Sequence, residues 1–339
     1  MFRKLILLFI LNSTALSAFL QTRPLPVIDM HLHALNVKKS KDGPLYIGAP
    51  FRDLGINDPK YDFAEVFNQA LLTKEWSDHS LPSATTNDSL RLLTIAALRK
   101  LNVYAVTSGD IEIVRTWKRE ADDRIIPSVY WNFNSSIKER LTVDSLERLF
   151  KSGEFKVFGE VAIQYEGYSA NDSTFDPYLA LAERLDIPVG IHIGCGAPGA
   201  PYLGTPAYRA RLHSPFVLEE ALLRHPKLRV YAMHAGWPML DDMLATLYAH
   251  PQLYVDLAAI SFMIPKKEFY FYLERLVNAG FGKRIMFGSD NMIWPGAIEV
   301  GIQTINDAKF LTRDQKRNIL FNNAVRFLRL SKDEINRMF

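Results

Sequence analysis

Apolar residues fall along this chain in short β-rich runs that alternate with longer stretches of helical period. The runs cover 27–31, 102–107, 125–130, 156–163, 187–193, 229–234, 252–257 and 284–289. Branched and aromatic side chains in runs of that length predict strands. Between them lie amphipathic stretches such as DSLRLLTIAALRK (88–100), TVDSLERLFKSG (142–153), DPYLALAERLD (176–186) and SPFVLEEALLRHP (214–226). Several open on Ser, Thr or Asp at a cap, and the last two carry Pro in the first turn. Eight strands joined by helices count out to an α/β fold, a (β/α)8 TIM barrel, because parallel strands need such crossovers and eight close without edges. A doubly wound open sheet is the competing arrangement. No linker rich in Gly, Ser or Pro divides residues 24–335, so a single domain is expected.

Residues 36–87 depart from this rhythm, since a loop of that length between a strand and its helix is more often functional than idle. It carries Tyr46, Phe51, Tyr61, Phe63, Phe67 and Trp76, and its pattern predicts a short helix near 62–73. A second aromatic-rich loop, 194–213, follows the fifth strand. Together the two are expected to wall off part of the barrel mouth.

The first residues follow a different pattern again. Arg3 and Lys4 precede an apolar run from Leu5 to Leu11 and then small residues, which is the three-part form of a secretory signal over 1–18 and too short a run for an ordinary membrane span. A periplasmic or secreted protein, without stable membrane insertion after cleavage, is therefore expected. Asn87, Asn134 and Asn171 begin acceptor patterns for glycosylation in a eukaryotic host. The formal charge of +3 falls to about +1 without Arg3 and Lys4, which gives no electrostatic case for nucleic acid. Cys195 is the only cysteine, so no internal disulfide forms and the core alone must hold the fold.

The polar residues at the strand ends carry the candidate chemistry. His31 and His33 alternate with apolar neighbours and so share one face of the first strand. Alone, the pair reads equally as a structural couple or as metal ligands. Glu160 in FGEVAI, His192 in VGIHIG, His234 in VYAMHAG and Asp290 in IMFGSD stand at the ends of the fourth, fifth, sixth and eighth strands. That is the barrel face where loops build sites, and imidazoles gathered with a carboxylate suit a borderline divalent ion.

With those residues in place, the chain resembles the amidohydrolase superfamily, specifically its amidohydrolase-2 branch of metal-dependent hydrolases and nonoxidative decarboxylases of the aminocarboxymuconate-semialdehyde type. The likeness runs from IDMHLH through LLRHPKLRVYAMHAGWP (222–238) to ILFNNAVRFLRL (319–330), where Asn323 and Ala324 match the usual Asn-Ala pair. It implies His31, His33 and His192 as nitrogen ligands and Asp290 as an oxygen ligand and general base. It also implies that His234 stands across the substrate as a catalytic group first and a ligand second. Zn²⁺ is the expected ion, one per chain, with two as the alternative, and its chemistry would be to acidify a bound water. Glu160 is either a bridge between two ions or an outer carboxylate that orients a ligand or meets substrate. Lys156, the one lysine on that strand, stands at its wrong end.

Further residues divide between pocket and packing. Arg209 and Arg211 are candidates for a substrate carboxylate, Trp237 and Tyr165 for the pocket wall, and Asp256 for a substrate hydroxyl or for orienting His234. His79, His213, His225 and His250 read as caps or surface groups, and Cys195 as a packed residue. The leading function is metal-dependent hydrolysis of a carbonyl ester such as a lactone, with amides and phosphoesters as variants. Metal-dependent decarboxylation of an unsaturated or aromatic acid is the alternative, and a noncatalytic ligand-binding barrel is the reading from a different class. The expected partner is a small molecule. Helical faces on a barrel also allow a homodimer, although no stripe marks one.

Overall fold

The computed structural model describes residues 24–37, 43–55, 57–131 and 141–339. The signal read in 1–18 and the acceptor Asn134 lie outside the described residues. Strands β1 (Val27–Ala34), β2 (Tyr46–Gly48), β3 (Ser80–Pro82), β4 (Val103–Gly109), β5 (Ile125–Trp131), β6 (Val157–Val161), β7 (Val189–His192), β8 (Val230–Met233), β9 (Leu253–Asp256) and β10 (Ile285–Met286) follow in chain order. Eight of them form one parallel sheet in the order β1-β4-β5-β6-β7-β8-β9-β10. Its ends meet where Met30 N donates to Phe287 O at 2.9 Å and Asp290 N donates to His31 O at 2.7 Å. The barrel is closed by those bonds, and the open-sheet alternative is thereby excluded.

Local chemistry explains the helices around it. Asn87–Lys100 starts on Thr86, whose side chain accepts from Ser89 N while Ser89 returns a bond, and Ile111–Glu120 starts on Asp110, whose carboxylate accepts from Glu112 and Ile113. Leu90, Ile95 and Leu98 of the first helix, and Val114 and Trp117 of the second, are buried against the strands. At the opposite end from the loops, Phe321, Phe327 and Met338 close over Ile28, Met30 and Tyr104. The expected Asn-Ala pair gains a physical role there: Asn323 is fully buried and its amide donates to Gly282 O and Ile285 O, pinning the last helices to β10.

The long first loop has its own small core. Strands β2 and β3 pair antiparallel, a helix runs over Phe63–Thr73 as expected, and Ile47, Phe51 and Trp76 pack with Phe262, Trp294 and Ala297. Most of its aromatic side chains therefore serve this core rather than the mouth. Tyr61 is exposed, whereas Phe63 packs on this core as well, and its ring also meets Tyr202 of the second loop at 6.2 Å. Gly199 lies under the same ring at φ +70°, and a Cβ there would fall 1.9 Å from Phe63, so the absence of a side chain is what lets the two loops touch. Among the described residues, no helix is long and apolar enough to cross a membrane.

Candidate metal centre

Six of the side chains picked out by the sequence meet at the C-terminal ends of the strands. His31 Nε2 and His33 Nε2 lie 3.1 Å apart, as two rings on alternating positions of one strand must when both point inward. Glu160, from β6, reaches between the remaining rings: one oxygen lies 3.3 Å from His33 Nε2 and the other 2.5 Å from His192 Nδ1. Asp290 Oδ1 stands 3.2 Å from His33 Nε2 and 3.9 Å from His31 Nε2. His234 Nε2 completes the group, 3.0 Å from His192 Nδ1. All six side chains are buried.

The backbone at these strand ends is held in an uncommon conformation. His234, Ala235, Ala259 and Asp290 have φ of +62°, +50°, +59° and +48°, each of which costs on the order of 1–3 kcal/mol unless its surroundings enforce it. Hydrogen bonds supply part of that enforcement: His234 N donates to Asp256 Oδ1 at 2.8 Å, and Asp290 N to the His31 carbonyl.

Electrostatics mark the cluster as one that demands positive charge. Burial penalises the Glu160 carboxylate, yet the facing imidazoles of His192, His234, His31 and His33 hold its pKa well below the usual range. Asp290 is likewise penalised by burial and brought down to about 2 by His31 and His33. The rings move the other way. Burial opposes protonation of His33, but Asp290 and Glu160 lift it to about 9, and His31 rises well above the ordinary value against the same penalty. Burial and the neighbouring His234 lower His192. Two anionic carboxylates among imidazoles either keep protons or take up a cation in their place.

The donors fit such a cation. Among the described residues, three overlapping sets, His31–His234–Asp290, His31–His33–Glu160 and Glu160–His192–His234, each keep their ligand atoms within 4.8 Å of one another. Outer hydrogen bonds aim the rings: His31 Nδ1 lies 3.2 Å from Asp256 Oδ2, His33 Nδ1 pairs with Ser108 Oγ at 3.2 Å, and His234 Nδ1 donates to Ala258 O at 3.0 Å. Nitrogen ligands backed by such groups are the usual arrangement around a divalent ion. His192 differs, because its Nε2 is buried without a hydrogen-bond partner among the described residues and the ring sits edge-on to Tyr165 at 4.9 Å and His213 at 5.1 Å.

The other candidates scatter. Tyr165 adjoins His192, and its phenol is raised well above the usual value by burial and then by the Glu160 charge. Trp237 is half-buried, with its indole N–H donating to Glu268 Oε1 at 3.3 Å. Arg209 and Arg211 are exposed, and the Arg209 guanidinium donates to Pro206 O and Tyr208 O of its own loop. Asp256 is completely buried and has no face toward a substrate. Lys156 is exposed just before β6, away from the cluster. His225 and His250 do cap helices, at the ends of Glu219–Arg224 and Leu240–Ala249, but they are buried rather than superficial. His213 is neither a cap nor a surface group: it has no exposed area and packs its ring against Tyr208 at 4.5 Å, behind His192.

Sequence reasoning missed Ser108, Ala258, His213 and Tyr130, whose ring stands 6.5 Å from that of His33. Ser108 carried a usable signal, a polar residue at the end of an otherwise apolar strand. Ala258 carried none, because it acts through its carbonyl.

Residues 28–330 match the family model described as amidohydrolase, Amidohydro_2. The chain belongs to this family. Amidohydrolases of this kind are metal-dependent enzymes, in keeping with the gathered histidines and carboxylates. Among solved structures, an uncharacterised TIM-barrel protein from Bordetella bronchiseptica aligns with 92% of this chain and 100% of its own at 17% identity and a TM-score of 0.56. A probable 2-pyrone-4,6-dicarboxylic acid hydrolase from Acinetobacter baumannii, with citric acid bound, aligns with 90% of this chain and 100% of its own at 14% identity and TM-score 0.53. The 5-carboxyvanillate decarboxylase of Novosphingobium aromaticivorans, in complex with manganese and 4-hydroxy-3-methoxy-5-nitrobenzoic acid, aligns over 91% and 97% at 11% identity and TM-score 0.55. At such identities the likeness shows the fold. No curated protein matches the sequence.

Proposed function

We propose that this amidohydrolase is a hydrolase of carbonyl esters, with a lactone or related cyclic ester as the substrate class. The observation that carries the reading is the convergence of His31, His33, His192, His234, Glu160 and Asp290 on one buried space. His31, His33, His192 and Asp290 would hold a divalent ion, and the nitrogen-rich set suits zinc. When bound, that ion supplies a Lewis acid that polarises a carbonyl and acidifies water.

The chain's own groups then manage protons. Asp290 is the base, since its carboxylate stays ionised at neutral pH and lies beside the imidazole pair. His234 is the partner that meets the substrate: its Nδ1 proton is committed to Ala258 O, so Nε2 is the nitrogen free to exchange a proton inside the site. Glu160 Oε1 faces His192 Nδ1, the nitrogen that His192 turns toward His234 and the rest of the cluster. Any two of the donor sets share a member, so one ion per chain is the favoured count; a second would require Glu160 as a shared ligand through its two oxygens.

Incubating the zinc-loaded protein with a panel of lactones, amides, phosphoesters and aromatic acids tests the reading. Ring opening of a lactone is the expected result. Release of CO₂ from an acid, with every ester untouched, would replace hydrolysis by decarboxylation. We further propose export to the periplasm or medium, on the strength of the leader-like residues 1–18. Amino-terminal sequencing of the mature protein checks it.

A further inference from the structure

We infer that Asp256 and Ala258, at and just beyond the end of β9, are positioning residues that decide which nitrogen carries the proton on two imidazoles from different strands, His31 and His234. The inference rests on the proposed metal site and deepens it. Asp256 has no exposed area and its two oxygens do separate work. Oδ2 faces His31 Nδ1 at 3.2 Å, while Oδ1 accepts from the backbone of His234 at 2.8 Å and of Ala258 at 3.0 Å. The Ala258 carbonyl in turn accepts from His234 Nδ1 at 3.0 Å.

Carboxylates and carbonyls only accept, so both rings must carry hydrogen on Nδ1. A neutral imidazole so arranged has its lone pair on Nε2. His31 and His234 belong to one donor set with Asp290, with ring centroids 5.1 Å apart, and both Nε2 atoms face the Glu160 carboxylate, at 3.7 Å and 3.8 Å. One three-residue segment thereby turns two lone pairs toward the same space. It also secures the left-handed backbone of His234, whose N–H would otherwise lose its acceptor.

Packing keeps the segment in place. A Cβ on Gly288 would come within 2.9 Å of His31 Cβ, 3.0 Å of Ala258 Cβ and 3.3 Å of Asp256 Cγ. The three groups are pressed together where that strand end has no side chain. Substrate has no path to Asp256, so any effect of changing it on the site must pass through the rings.

The test is Asp256→Asn in the full chain. Oδ1 of the new amide still serves two backbone donors, which leaves its NH₂ facing His31 Nδ1. Donor then meets donor, and the His31 proton moves to Nε2. Two readouts follow: ¹⁵N spectra of the imidazoles in metal-stripped protein at alkaline pH, where the rings are neutral, and zinc affinity by chelator competition. We expect Nδ1–H on His31 and His234 in the parent, Nε2–H on His31 in the variant, and zinc binding weakened by about 10- to 100-fold, as for other groups that orient a ligand. Unchanged proton position together with unchanged affinity overturns the inference. Should the variant fail to fold, the parent spectrum decides alone, because Nε2–H on either ring contradicts the assignment. A parent that binds no zinc defeats the proposed metal site and leaves the proton assignment to stand or fall on its spectrum.

Discussion

Glu160 Oε1 lies 2.5 Å from His192 Nδ1, on the side of the barrel opposite the β1 imidazoles that its other oxygen faces. One carboxylate thus couples both halves of the site. Glu160→Gln removes the charge but keeps the size. Bound zinc should weaken tenfold or more, by the ordinary worth of a ligand-orienting carboxylate, with the fold retained. Elemental analysis and a melting curve of the variant measure the two halves of that statement.

His234 separates binding from turnover. Its Nε2 is proposed to exchange a proton with substrate while the other imidazoles hold the ion. His234→Ala is therefore expected to keep zinc and to lose turnover by roughly 10²- to 10⁴-fold, the usual contribution of a positioned acid or base. Metal content and initial rates on the same preparation check it.

Metal affinity and stability should both depend on pH through His33. In the metal-free protein the ring holds its proton to about pH 9, because Asp290 and Glu160 outweigh the burial penalty. The folded pKa is raised above the unfolded value of about 6.5. Its stabilising contribution is thus complete below about pH 6.5 and is lost as the pH rises through about 9, on the order of 3 kcal/mol in all. The same proton competes with the ion. Zinc should bind more tightly as the pH climbs across that window, and metal-free protein should melt lower at its upper end, with added zinc reversing the loss. Calorimetry with and without zinc at the two ends of the window measures both.

Asp29, on the same strand below His31, should act in a lower window. It is fully buried, its Oδ1 accepts from His31 N and Ser289 N, and its Oδ2 has no hydrogen-bond partner among the described residues. Burial raises its pKa to about 6 against the lowering effect of those bonds. For an acid whose folded pKa is raised, the contribution is present below the unfolded pKa of 3.8 and disappears as the pH passes 6. Asp29→Asn cannot ionise. Relative to the parent, it should gain on the order of 3 kcal/mol of unfolding free energy between pH 4 and pH 7, read from denaturant titrations at both.

Periodicity exposed most of the architecture, because each barrel strand is buried on both faces and appears as a dense apolar run. β10 is the weakest case: only Ile285–Met286 pair regularly where 284–289 was expected, since the chain turns inward to place Asp290. The antiparallel pair of β2 and β3 escaped notice because three residues are too few to show alternation. Gly199 was visible only as a loop glycine, and its reason for being glycine is Phe63, far away in sequence.

The chain by itself determined which eight strands build the barrel and that imidazoles and carboxylates cluster at one rim, because the periodicity of a strand is a local property that burial writes directly into the residue pattern. Tertiary structure alone decided how those groups face one another. Asp256 became an orienting group, His213 a buried neighbour of His192, and Ala258 an acceptor for His234, through contacts across strands that no local pattern encodes. Hydrogen-bond direction depends on atoms brought within about 3 Å from distant parts of the chain, and only the closed barrel sets that distance.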